Sequence, residues 1–108
     1  MAGNQETAIS SIALVELAHG IFRANTPERR ERRQSFIDEL LADVPVYPFT
    51  RQIALRAGRI DAEQQMKGAK IPFQDLLIGA TALDLGYTVV TGNVRHFEII
   101  PNLNVIHL

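Results

Sequence analysis

The amino-acid sequence predicts an α/β fold: a mostly parallel sheet with helices on both faces. Three observations predict it. Short strand-like runs alternate with longer helix-like segments. The strand-like runs are continuous apolar stretches, as strands buried on both faces are, rather than polar–apolar alternations. The chain has 108 residues and 46% hydrophobic content, which suits one domain over residues 1–108 with a modest core.

Taken in order, Thr7 to Ser11 reads as a short buried strand. Ser10 or Ser11 then caps a helix running to about Phe22, with Gly20 weakening its end. Thr26-Pro27-Glu28 is a helix start: a capping hydroxyl, a proline at the first helical position and an acid in the first turn. That helix reaches about Leu41, with Phe36, Ile37, Leu40 and Leu41 as its apolar face. Val44 to Tyr47 is a short strand. Thr50 caps a third helix to about Lys67, whose apolar positions are Ile53, Ala54, Ala57, Ile60 and Met66. Gly68 closes it. Pro72 precedes a fourth helix, about Phe73 to Leu85, ended by Gly86. Tyr87 to Thr91 and Asn104 to His107 are apolar strands, with a short helical turn at Arg95 to Glu98. Phe97, Ile99 and Ile100 read as core.

Composition narrows the function classes. A net charge of -1 gives the chain no polyelectrolyte character, so nucleic-acid binding would come from local patches. With no cysteine, disulfides, thiolate metal sites and a Cys nucleophile are excluded. No apolar run reaches the roughly 18 to 20 residues of a membrane span. The N-terminus lacks the basic start and apolar core of a secretory leader. These features are what a cytoplasmic protein would have.

Two carboxylates stand on apolar segments: Glu16 within Ile12-Ala13-Leu14-Val15-Glu16-Leu17-Ala18, and Asp75 opening Asp75-Leu76-Leu77-Ile78-Gly79-Ala80. A charge on such a segment is costly unless it is paired, hydrogen-bonded or bound to a cation. A third polar position, Asn93 in Thr91-Gly92-Asn93, directly follows an apolar strand. Functional groups of an open α/β sheet gather beyond the carboxyl ends of its strands, so Glu16, Asp75 and Asn93 are expected to converge there. Oxygen ligands of this kind suit Mg²⁺ or Mn²⁺. Simpler readings stand beside this one. Glu16 reads equally as a surface glutamate with its head in water. Asp75 reads as a first-turn acid favoured by the helix dipole, and Asn93 as a turn residue. Arg29, Arg30, Arg32 and Arg33 read as a solvated helix face or as RNA-phosphate contacts. His19 and His96 lack metal-ligand spacing.

The ordered set of motifs resembles the PIN-domain ribonucleases, particularly the VapC-type toxins of bacterial toxin–antitoxin pairs. Ile9 to Ile21 resembles their second acidic motif and Ile71 to Leu83 their third. Val89 to Phe97, followed by Pro101 to Ile106, resembles their C-terminal motif and last strand. The resemblance spans about Thr7 to Ile106. It implies a metal-dependent endoribonuclease using Mg²⁺ or Mn²⁺ to cleave RNA, held by a cognate antitoxin and often a homodimer. It makes Glu16 and Asp75 metal-site acids, puts Asn93 in the fourth position of the site and gives Thr91 a supporting role. Arg95, beside that site, is the better phosphate candidate by position.

The sequence departs from the family at its start. Family members begin with an apolar strand ending in Asp-Thr or Asp-Ser, then a helix, before the segment matched by Ile9 to Ile21. Only six residues precede Thr7, and Glu6–Thr7 is a poor stand-in because no apolar strand precedes it. The expectation is an N-terminally truncated PIN-like domain lacking a central strand and one metal-binding Asp, with impaired activity. The competing reading is a catalytically inactive remnant that binds an antitoxin or another toxin protomer.

Overall fold

The structure, a computed structural model, describes residues 8–108. The chain divides into two compact units, Met1–Pro48 and Phe49–Leu108. Thr7 and the Glu6–Thr7 pair lie outside the described residues.

In the first unit, β1 (Ile9–Ser10) leads directly into α1 (Ser11–Arg23), and α2 (Pro27–Asp43) is followed by β2 (Val46–Tyr47). Ser10 is the cap of α1: its hydroxyl accepts a hydrogen bond from Ala13 N at 3.0 Å. Thr26 does the same for α2, accepting from Arg29 N at 3.1 Å, with Pro27 at the helix start. These bonds satisfy amide groups that a helix start leaves open. β1 and β2 pair in parallel, Ile9 opposite Val46 and Ser10 opposite Tyr47. α1 packs on α2, and Ile21, Ala24 and Ile37 are buried. The apolar face expected for α2 is narrower than the sequence suggests. Ile37 is buried and Leu40 half-buried, while Phe36 is 59% and Leu41 37% exposed.

In the second unit, α3 (Arg51–Met66), α4 (Phe73–Leu85), β3 (Val89–Thr91), α5 (Val94–Glu98) and β4 (Val105–His107) follow in order. Thr50 caps α3 by accepting from Ile53 N at 3.1 Å. Ile53, Ala57, Ile60 and Gln64 form its buried face. These positions keep strict helical spacing; Met66 falls off that line and is 88% exposed. Gly86 ends α4 in the left-handed conformation, φ 74°, where a side chain is disfavoured. β3 and β4 pair in parallel from Val89 opposite Val105 to Thr91 opposite His107. The core joins Ile53, Ala57, Ile60, Ile71, Leu76, Ala80, Val89, Phe97 and Ile100.

The fold is thus α/β with parallel strands. The strands are shorter than the sequence runs suggested, two or three residues each, and among the described residues they form two separate two-stranded ladders. Apolar runs such as Tyr87 to Thr91 enter the ladder only where a partner strand faces them.

One contact in the second unit controls how closely α4 approaches its neighbours. A Cβ built on Gly79 would run into Ile100 Cδ1, with Leu103 Cδ2 at 3.3 Å and Phe97 Cδ1 at 3.4 Å. The missing side chain lets α4 lie against the segment carrying α5. Asp75 is one helical turn before Gly79, and His96 adjoins Phe97.

Candidate functional site

Asp75 sits in the first turn of α4 with only 17% of its side chain exposed. Its Oδ2 lies 2.8 Å from His96 Nδ1. Pro72, at the cap position of α4, offers no side-chain hydrogen bond to the helix start, so the Asp75 carboxylate also lies where open helix amides favour a negative charge. Beyond β3, the chain turns through Gly92. Thr91 Oγ1 accepts a hydrogen bond from Asn93 N at 2.9 Å. Asn93 O in turn accepts from His96 N at 3.1 Å. A continuous run of hydrogen bonds therefore links Thr91, Asn93, His96 and Asp75, joining the C-terminal motif to the acid of α4.

His96 is the residue that sequence reasoning passed over. Its partner is 21 positions away in the chain, so no local spacing could reveal the pair. The one available signal was its place three residues after Asn93, where a single helical turn brings its backbone amide to the Asn93 carbonyl.

Glu16 belongs to the first unit. It is exposed on α1, and its side chain has no hydrogen bond or ion pair among the described residues. The cost of burying a charge among apolar neighbours, which singled it out in the sequence, does not arise, because α1 turns Val15 and Glu16 outward together. Among the described residues, no group of three or more His, Cys, Asp or Glu is placed to hold a metal ion. Within the second unit Asp75 is the acid of the site: its carboxylate is a hard oxygen donor of the kind Mg²⁺ or Mn²⁺ takes, and His96 Nδ1 is engaged in orienting it.

Three of the four arginines of α2 have other occupations. Arg29 donates to Asn25 Oδ1 at 3.0 Å, Arg30 to the Ala24 carbonyl at 3.3 Å and Arg33 to the Gly20 carbonyl. They fasten the α1–α2 connection. Arg95, by contrast, is exposed and its side chain makes no hydrogen bond or ion pair among the described residues. No helix among the described residues is long and apolar enough to cross a membrane.

Residues 2–102 match the PIN domain family. Ribonuclease VapC2 of Rickettsia felis is 35% identical over 103 residues, covering 95% of this chain and 75% of the relative. The tRNA(fMet)-specific endonuclease VapC of Salmonella typhimurium is 34% identical over 97 residues, covering 90% of this chain and 71% of the relative. Among solved structures, VapBC2 from Rickettsia felis bound to a promoter DNA fragment superposes with a TM-score of 0.87 at 34% identity, over 99% of this chain and 78% of that one. DNA-bound VapBC from Salmonella typhimurium gives a TM-score of 0.82 at 32% identity, over 93% of this chain and 74% of that one. The chain belongs to the PIN-domain family, within its VapC branch.

Proposed function

We propose that this chain is a metal-dependent endoribonuclease, the toxin of a toxin–antitoxin pair, acting in the cytoplasm and restrained by an antitoxin protein. The observation that carries the reading is the half-buried Asp75 carboxylate held by His96 at the end of the Thr91–Asn93 turn. Such a group is expensive to retain on an apolar helix for packing alone. Relatives named as ribonucleases and solved as toxin–antitoxin complexes support the same reading. A homodimer is part of it, by analogy with the family.

Asp75 would hold a Mg²⁺ or Mn²⁺ ion, with Asn93 as a neutral oxygen donor, and the family resemblance is what gives Glu16 a metal-site role. When bound, such an ion activates water and stabilises negative charge on a phosphodiester. The chain's own residues prepare the site. His96 fixes the rotamer of Asp75 by occupying Oδ2, so its carboxylate is oriented before a ligand arrives. Thr91 holds the Asn93 backbone through its hydroxyl, fixing the turn that carries the Asn93 amide. Arg95 supplies an uncommitted positive charge beside them for the RNA backbone.

The test is cleavage of a labelled single-stranded RNA in Mn²⁺ by the protein and by Asp75→Asn. We expect cleavage that falls at least about a hundredfold in the variant, a loss typical of a group stabilising transition-state charge. RNA cleaved equally by both would show that Asp75 is not in the active site. An antitoxin bound tightly by a protein that leaves RNA intact would favour the purely binding role.

A further inference from the structure

A cavity of about 420 Å³ opens beside the Asp75–His96 pair, lined by Gly92, Asn93, Val94, Arg95, His96 and His107. Its volume falls within the range of roughly 300–1,000 Å³ typical of small-molecule sites. Three of the six lining residues are Arg or His, and none is acidic. Two elements supply them. α5 carries Arg95 and His96, and β4 carries His107, which the parallel register sets opposite Thr91. Leu108 N donates to the Thr91 carbonyl at 2.9 Å, fastening that end of β4 against β3. Arg95 and His107 are both exposed, and neither side chain has a hydrogen bond or ion pair among the described residues.

The other cavity of note has the opposite character. It lies along α2 and is lined by Glu28, Glu31 and Glu39 with Arg32, Ser35 and Phe36. Three carboxylates around one guanidinium repel a phosphate. The most arginine-rich segment of the chain is therefore poorly suited to RNA, and the sparser cations of α5 and β4 are well suited.

We infer that the Arg95–His96–His107 cavity is a phosphate subsite that holds an RNA phosphate next to the one cleaved, with Arg95 and His107 as its ligands. The inference rests on the ribonuclease reading and adds to it where the uncleaved strand is gripped. Arg95 contributes a permanent charge and a planar donor set that matches phosphate oxygens. His107 contributes a ring N–H and a face on which a base can stack. His96 borders both the subsite and Asp75, so a strand held there passes the acid directly.

The experiment uses the intact chain in EDTA, which suppresses metal-dependent cleavage, and a labelled single-stranded RNA read by fluorescence anisotropy across a salt series. Neutralising one phosphate contact on a single strand changes the slope of log K against log salt by about 0.7. Arg95→Gln should lower the slope by about that amount, and Arg95→Lys should restore it. His107→Ala should weaken binding severalfold. Arg32→Gln should leave slope and affinity as they are. An Arg95→Gln protein with unchanged slope, an equal loss in Arg32→Gln, or no RNA binding by the parent chain would each overturn the inference. Cleavage of the same RNA by the parent chain in Mn²⁺ reports separately on the ribonuclease reading. The subsite can thus fail while that reading stands.

Discussion

Asp75 illustrates how a single side chain can be stable in the fold and still be available for chemistry. Its carboxylate is mostly covered, sits at a helix start where negative charge is favoured, and has a hydrogen-bonded histidine for company. None of these contacts surrounds it, and an arriving cation would meet an anion whose orientation is already set. If Mn²⁺ binds there, it stabilises the native state by mass action: about 2.7 kcal/mol at roughly a hundred times Kd. In a domain of this size that amounts to roughly 10 °C in the thermal midpoint. Asp75→Asn should remove most of the shift, because an amide lacks the charge that holds a hard cation. Thermal melts with and without Mn²⁺ check this, and an undiminished shift in the variant would place the metal elsewhere. Asp75 was visible in the sequence as a charge on an apolar segment, Asn93 as the polar residue directly after an apolar strand, and Thr91 through the family resemblance. The sequence left His96 in the background because what matters about His96 is a partner in another helix. Glu16 was visible for a reason that the structure removes, since its segment is apolar but its own position faces water.

At the level of elements, the ends were more legible than the faces. Ser10, Thr26 and Thr50 cap their helices as their chemistry dictates, and Gly86 stops α4 where glycine alone is at ease. Caps depend on a few adjacent atoms, so sequence suffices to place them. Faces depend on what lies opposite. Gln64 replaces Met66 on the inner side of α3, because spacing outranks hydrophobicity once a helix is docked. Gly79 carries a consequence of the same kind. With Ile100, Leu103 and Phe97 against its bare Cα, Gly79→Ala should overpack the α4–α5 contact. Ala also favours the helix by up to about 1 kcal/mol over Gly, and overpacking typically costs about 1–3 kcal/mol. We therefore expect a net loss of about 1–2 kcal/mol in chemical denaturation. Gly58, on the exposed side of α3 with open space where its Cβ would be, is the control: Gly58→Ala should stabilise. A Gly79→Ala protein more stable than its parent would show that Ile100 moves aside freely.

For the molecule as a whole, the division at Pro48 was the least legible feature. No change of composition and no linker marks it; a short strand simply ends at Tyr47 and a capped helix begins past Thr50. The two units nonetheless differ in how they are held. The second has a continuous core of nine buried residues from Ile53 to Ile100. In the first, the described residues fully bury only Ile21, Ala24 and Ile37, its ladder is two residues long on each strand, and α2 exposes nearly every side chain. Local opening is cheapest where few apolar contacts must be broken and most backbone hydrogen bonds face water. Amide hydrogen exchange should therefore be uneven along this chain. The amides of Ile60 and Ala80, inside α3 and α4, should exchange slowest and at a common rate, as members of one cooperative unit. Those in the middle of α2, such as Arg33 and Gln34, should exchange about tenfold faster or more, although they lie just as deep in a helix of similar length. Fraying cannot account for such a difference, because the residues compared are far from helix ends. Uniform protection across α2, α3 and α4 would mean that the first unit opens only when the whole molecule unfolds.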